Sequence, residues 1–148
     1  MRIYLDVCCL NRPFDDQTQD KVRLESEAIL AILKRRRTEN WLLLSSEVID
    51  IEISKIPNAD KREEVNILTT LLQSWIMVNE DIEKRAIALE RLGFKPFDAL
   101  HVACAEKGKA DVFLTTDDHL LHKASQNIGI LKVRVENPVK WLMEVIEK

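Results

Sequence analysis

The chain has 148 residues, 46% of them hydrophobic and 32% charged. That composition excludes a disordered chain, and a single domain spanning 1–148 is long enough to bury roughly 70% of its unfolded surface. With 22 Lys and Arg against 25 Asp and Glu, the net charge is −3. This argues against gripping nucleic acid by bulk charge, but leaves room for a local basic patch or for bound cations that offset clustered acids.

The first predicted element is a short buried strand over 2–6, ending in Asp6. A loop over 7–17 carries Asn11, Arg12, Pro13, Asp15 and Asp16. Val22, Ala28, Ile29, Ile32 and Leu33 share a face at helical spacing, which predicts a helix over 18–37. It ends in Lys34-Arg35-Arg36-Arg37, cations where the helix dipole favours them. Residues 41–45 read as a second strand. Over 47–56 the isoleucines alternate as in a strand, yet Ser46 is a helix start signal placed directly after a strand, so the segment is assigned as helix. Helix 60–73 and a short strand over 75–78 follow. Helices over 80–92 and 97–107 are closed by Gly93 and Gly108. A strand over 111–115, a short helix over 118–124, a strand over 130–135 and a last helix over 138–147 complete the chain. Strands alternating with helices predict an α/β fold with a mainly parallel sheet.

Ligands of such sheets bind beyond the carboxyl ends of the strands. Asp6 ends the first strand, and Asp117 follows Thr115 and Thr116 after the strand over 111–115. Asp98 opens a helix that is otherwise almost wholly apolar, and Glu52 lies inside an Ile-rich stretch. Alone, Asp98 reads first as a charge favoured by the helix dipole, and Glu52 reads equally as a solvated residue. Together, carboxylates in one cleft would raise one another's pKa, and the usual remedy is a hard divalent cation. Mg²⁺ or Mn²⁺ suits such a pocket and can activate water against a phosphodiester. Other hydrolytic schemes lack their parts: there is no HExxH, no GxSxG and no Cys-x5-Arg, and His101, His119 and His122 show no evident partner set. With three Gly there is no Gly-rich phosphate loop. Cys8, Cys9 and Cys104 show no CxxC spacing, which fits a reducing compartment. No apolar run approaches the roughly 20 residues of a membrane span. The expectation is a soluble, cytoplasmic protein.

Asp6 after a strand, Glu52 in the helix after the second strand, Asp98-Ala99-Leu100-His101-Val102-Ala103, and Phe113-Leu114-Thr115-Thr116-Asp117 occur in the order used by PIN-domain proteins. The resemblance covers essentially the whole chain. The segment 10–16 also resembles a stand-alone prokaryotic subgroup. The resemblance implies a three-layer α/β/α nuclease that depends on Mg²⁺ or Mn²⁺ and acts on RNA. It further implies the toxin half of a toxin–antitoxin pair of the VapC kind, with an antitoxin partner and a homodimeric assembly. By position, Asp6, Glu52, Asp98 and Asp117 would be catalytic, metal-holding acids, and Thr115 the hydroxyl near the metal. The alternative is a PIN fold without a working metal site, serving as an RNA-binding or protein-interaction module.

Two features depart from the family pattern. Val7 and Cys8 stand where many PIN domains have Thr or Ser and then Asn or Ser, so a polar contact to Asp6 is expected to be missing. Glu47 and Asp50 compete with Glu52; Glu52 is preferred because the family's acid follows an apolar helical turn. Asp118 beside Asp117 reads as a helix cap or an outer ligand. Arg12 is placed either to contact a phosphate or to pair with Asp15 or Asp16. Lys34 to Arg37 read as a solvated helix end rather than an RNA track. Cys8 and Cys9 read as small buried hydrophobes. Trp41, Trp75 and Trp141 read as core or interface anchors.

Overall fold

Five strands form one sheet in the computed structural model, which describes residues 1–147. They are β1 (Arg2–Leu5), β2 (Leu42–Ser46), β3 (Ser74–Ile76), β4 (Val112–Leu114) and β5 (Arg134–Glu136). Their spatial order is β3-β2-β1-β4-β5, and every pairing is parallel. The central strands are buried on both faces, which is why 3–5 and 112–114 are continuous apolar runs rather than alternating ones.

The helices are α1 (Val7–Asn11), α2 (Asp20–Arg35), α3 (Glu47–Ser54), α4 (Ala59–Thr69), α5 (Glu80–Arg91), α6 (Pro96–Lys107), α7 (Asp118–Ser125) and α8 (Pro138–Ile146). From β1 the chain steps through β2 to β3 at one edge, then crosses to β4 and β5 at the other. Right-handed crossovers in opposite directions put their helices on opposite faces. Thus α2 and α4 cover one face and α5 to α7 the other, with α8 returning to pack on α2. This is the expected α/β/α layering. Trp41 meets Trp141 with ring centroids 5.2 Å apart, fastening the entry of β2 to α8. Ser46 caps α3 as its residue type predicts, accepting a hydrogen bond from the Ile49 amide at 3.1 Å.

The segment after β1 departs from the expected loop. Asp6 Oδ1 accepts the Val7 amide at 2.8 Å and starts α1, and a 3₁₀ turn over Arg12–Phe14 follows. Val7, Cys9 and Leu10 are buried, so packing favours a helical turn that composition alone did not reveal. The helix predicted over 60–73 ends at Thr69, and the strand expected over 130–135 is confined to Arg134–Glu136. Gly93 has φ +104° and closes α5 as glycine does. Gly108 differs: its φ is −75°, and Lys109 takes the left-handed conformation instead. A Cβ at 108 would lie 2.5 Å from Ile76 Cδ1, so any larger residue there would push the end of that side chain aside. Trp75 is half exposed, with its indole N–H donating to Asp50 Oδ2 at 2.8 Å, so it is not a core anchor.

Arg12 and Glu25 join three elements. Glu25 is 1% exposed; it accepts Arg12 Nε at 2.8 Å and Asn137 Nδ2 at 2.7 Å, tying the turn after α1 to α2 and the start of α8. Removing one partner of a buried pair strands the other. Glu25→Ala should therefore lower stability by about 3 kcal/mol, measurable by urea unfolding; a change indistinguishable from zero would contradict this role.

Candidate metal centre

The strand order reverses between β1 and β4, so the chain leaves these two neighbours toward opposite faces and opens a crevice at their carboxyl ends. Asp6 follows β1 directly, and its amide donates to the Leu114 carbonyl at the end of β4 at 2.9 Å. Asp117 stands three residues beyond β4 and Asp98 in the first turn of α6. The expected convergence of strand-end acids at one edge of the sheet is thus present.

Asp6 is 4% exposed and its oxygens are fixed from several sides. Besides the Val7 amide on Oδ1, its Oδ2 accepts the Thr115 hydroxyl at 2.8 Å and the Cys8 thiol at 3.3 Å. Thr115 Oγ1 in turn accepts the Asp117 amide at 3.1 Å, linking the two strand ends through one hydroxyl. Cys8 is therefore not a plain buried hydrophobe. Half-buried, it also meets Thr115 Oγ1 and accepts the Thr116 amide, both at 3.3 Å. The thiol restores the polar contact to Asp6 that the departure at Val7 and Cys8 put in question.

Three acids compete in α3, and the structure separates them. Asp50 is engaged by the Trp75 indole, and Glu47 Oε1 accepts the Val78 amide at 3.2 Å. Glu52 faces the crevice, its Oε1 3.4 Å from His101 Nε2. Near Asp117 the roles also resolve. Asp117 Oδ1 caps α7 through the amides of His119 and Leu120, whereas Asp118 is exposed and pairs with Lys21 at 2.9 Å. Asp118 is thus not the cap: its side chain turns to the surface after the helix has begun. Arg12 pairs with Asp15 at 3.0 Å and Glu25 at 2.8 Å, and so is committed to structure rather than free for a phosphate.

His101 is the residue that sequence reasoning missed. It is fully buried in α6, one turn after Asp98. Its Nδ1 hydrogen-bonds with the Tyr4 hydroxyl at 2.6 Å, and that hydroxyl with Ser46 Oγ at 2.7 Å. Its Nε2 points toward Glu52 and toward Asp6 Oδ1, 3.9 Å away. Asp6, Glu52 and His101 each offer a ligand atom within 4.8 Å of the others. The available signal was Tyr4, a polar-tipped aromatic in the middle of a buried strand that needs a partner.

The electrostatics carry the mark of crowded acids. Burial, then the charges of Asp6 and Asp117, push the Asp98 carboxyl up to about 6, against the opposing pull of His101 and Lys95. Asp6 is also raised, chiefly by burial and further by Glu52, although His101, Thr115 and Cys8 oppose this. Burial pushes His101 down, but Glu52, Asp6 and Asp98 outweigh it and the net direction is up. Asp98 Oδ2 and His101 Nε2 are buried without a hydrogen-bond partner among the described residues. Unpaired polar atoms beside clustered carboxylates fit a site for a cation.

The family model of the PIN domain matches residues 3–126. The chain belongs to the PIN-domain family. Two solved structures share its fold. One is VapBC2 from Rickettsia felis bound to a DNA fragment from their promoter, with a TM-score of 0.58 and 16% identity over 93% of this chain and 98% of that one. The other is VapBC-1 from nontypeable Haemophilus influenzae, with a TM-score of 0.59 and 15% identity over the same shares. No match is found among curated protein sequences. Within this PIN domain, Asp6 and Glu52 of the four acids bring their ligand atoms together with His101, while Asp98 is coupled through charge to Asp6 and Asp117.

The raised Asp98 carboxyl has a consequence for stability. The unfolded chain releases this proton near 3.8 and the folded protein near 6, so between those values the folded state holds more protons. Stability from this group therefore falls as pH rises through that window and stays low above it. Metal-free Asp98→Asn should melt higher than wild type at pH 8, and the advantage should vanish at pH 3.5. Thermal unfolding in EDTA checks this; equal or lower melting of the variant at pH 8 would contradict it.

Proposed function

We propose that this protein is a metal-dependent endoribonuclease in which Asp6, Glu52, Asp98 and Asp117 hold Mg²⁺ or Mn²⁺. The observation that carries the reading is the set of crowded carboxylates at the β1–β4 crevice, with Asp98 Oδ2 and His101 Nε2 buried there without a hydrogen bond among the described residues. When bound, the ion supplies Lewis-acid activation of water and neutralises charge on the scissile phosphodiester. Asp6 is held rigidly by the Val7 amide, Cys8 and Thr115, so its position needs little reorganisation. One of the four acids would orient the attacking water. Substrate charge is met by cations beside the acids. Lys55 follows α3 and lies 4.8 Å from the centroid of the Phe97 ring, adjacent to Asp98 in the chain, and Lys95 precedes α6. These replace Arg12 as the local basic patch.

The biological reading is the toxin half of a toxin–antitoxin pair of the VapC kind, acting in the cytoplasm on single-stranded or structured RNA. It takes residues 1–148 as one domain. The fold shared with the two VapBC structures supports an antitoxin partner, and no helix among the described residues is long and apolar enough to cross a membrane. A homodimer is part of the reading; Leu24 and Leu30 on α2 and Ile67 on α4 are exposed apolar side chains available to it.

The test is cleavage of a broad RNA pool by the purified chain in Mn²⁺ or Mg²⁺, abolished by EDTA. Asp98→Asn should lower the rate by more than about 100-fold, since even residues that only orient metal ligands cost about 10–100-fold. Asp60→Asn, in the exposed first turn of α4, should leave it unchanged. Absence of cleavage, or an Asp98→Asn variant as fast as wild type, would sink the enzyme reading; RNA or partner binding insensitive to EDTA would then favour the interaction module.

A further inference from the structure

His101 is fully buried, yet one of its nitrogens has no hydrogen bond among the described residues. A neutral imidazole carries one N–H and one lone pair, and the bond made by one nitrogen decides what the other presents. Here Nδ1 is 2.6 Å from the Tyr4 hydroxyl, which is 2.7 Å from Ser46 Oγ. If Nδ1–H donates to Tyr4 and Tyr4 donates to Ser46, then Nε2 presents its lone pair to Asp6 and Glu52. A lone pair aimed at two carboxylates is repelled by them unless a cation lies between. With a proton on Nε2 the ring would instead face Glu52 Oε1 at 3.4 Å and Asp6 Oδ1 at 3.9 Å as an ion pair, and a bound cation would take that proton's place between the same three atoms.

The distances suit shared ligation. Ligand atoms about 2.1 Å from one ion lie at most about 4.2 Å apart. His101 Nε2 is 3.4 Å from Glu52 Oε1 and 3.9 Å from Asp6 Oδ1. A metal-bound histidine typically donates its other N–H to a fixed acceptor, and the buried Tyr4–Ser46 pair is such an acceptor. Tyr4 is itself locked, stacked on Phe113 with ring centroids 5.2 Å apart.

We propose that His101 is a direct ligand of the ion, its Nε2 joining the Asp6 and Glu52 oxygens in a mixed nitrogen–oxygen site that favours Mn²⁺ over Mg²⁺. The inference rests on the metal-dependent reading above and adds a donor outside the acid set. Imidazole suits transition-metal ions, whereas Mg²⁺ prefers oxygen and water. His101 thereby makes the site selective among divalent ions.

The decisive experiment is pulsed electron paramagnetic resonance of Mn²⁺ bound to the full chain. Wild type should show imidazole ¹⁴N coupling, and His101→Gln should lose it. Tyr4→Phe, which keeps the imidazole but removes its acceptor, should retain the coupling with weaker binding. Competition between Mn²⁺ and Mg²⁺ should show the preference for Mn²⁺ falling about tenfold or more in His101→Gln. The wild-type spectrum decides the matter even if the buried substitution impairs folding. Tight Mn²⁺ binding without ¹⁴N coupling would overturn the proposal while leaving the carboxylate site standing. No Mn²⁺ binding by wild type would overturn both.

Discussion

Asp6, Asp98 and Asp117 set like charge against like charge in a partly dry crevice, with Glu52 adding to the charge that Asp6 feels. Much of the surrounding structure restrains that repulsion. The Thr115 hydroxyl, the Cys8 thiol and the Val7 amide hold Asp6, the start of α7 holds Asp117, and Lys95 and His101 oppose the charge on Asp98. The restraint is incomplete, as the raised Asp98 carboxyl records. Acids that are crowded in the metal-free protein and nevertheless held rigidly are what the proposed cation site requires.

The fold makes this possible by topology. Parallel strands place every carboxyl end on one edge, and the reversal of order between β1 and β4 opens the crevice there. The Arg12–Glu25–Asn137 connection then closes the far side of the first layer, holding α2, α8 and the turn after α1 together. The turn that leads away from Asp6 is thus anchored by a buried charge pair rather than left as a mobile loop.

Strand-end acids were legible in the sequence because they depend on local pattern. A short apolar run followed by Asp6, or by Thr115-Thr116-Asp117, announces both the strand and its carboxyl end. Asp98 stood out as an acid in an apolar helix. Residues whose role depends on tertiary partners were not legible. Arg12 lies close to the crevice in sequence, yet Glu25 claims it from 13 positions away. Glu47, Asp50 and Glu52 looked alike until Val78 and Trp75 occupied the first two. Beyond the polar tip of Tyr4, His101 was not legible because the groups around it lie on β1, β2 and α3, three segments that only the folded sheet brings together. The short helix after Asp6 was hidden for a related reason: its stability comes from burial and a cap rather than from length.

The central claim is that the β1–β4 crevice holds a divalent ion. Anomalous diffraction from crystals of the full chain soaked in Mn²⁺ tests it most directly. The account predicts a single strong peak, or a close pair, within about 2.2 Å of carboxylate oxygens of Asp6 and its neighbouring acids. A well-ordered crevice without anomalous density, or manganese bound only at acids elsewhere on the surface, would contradict it.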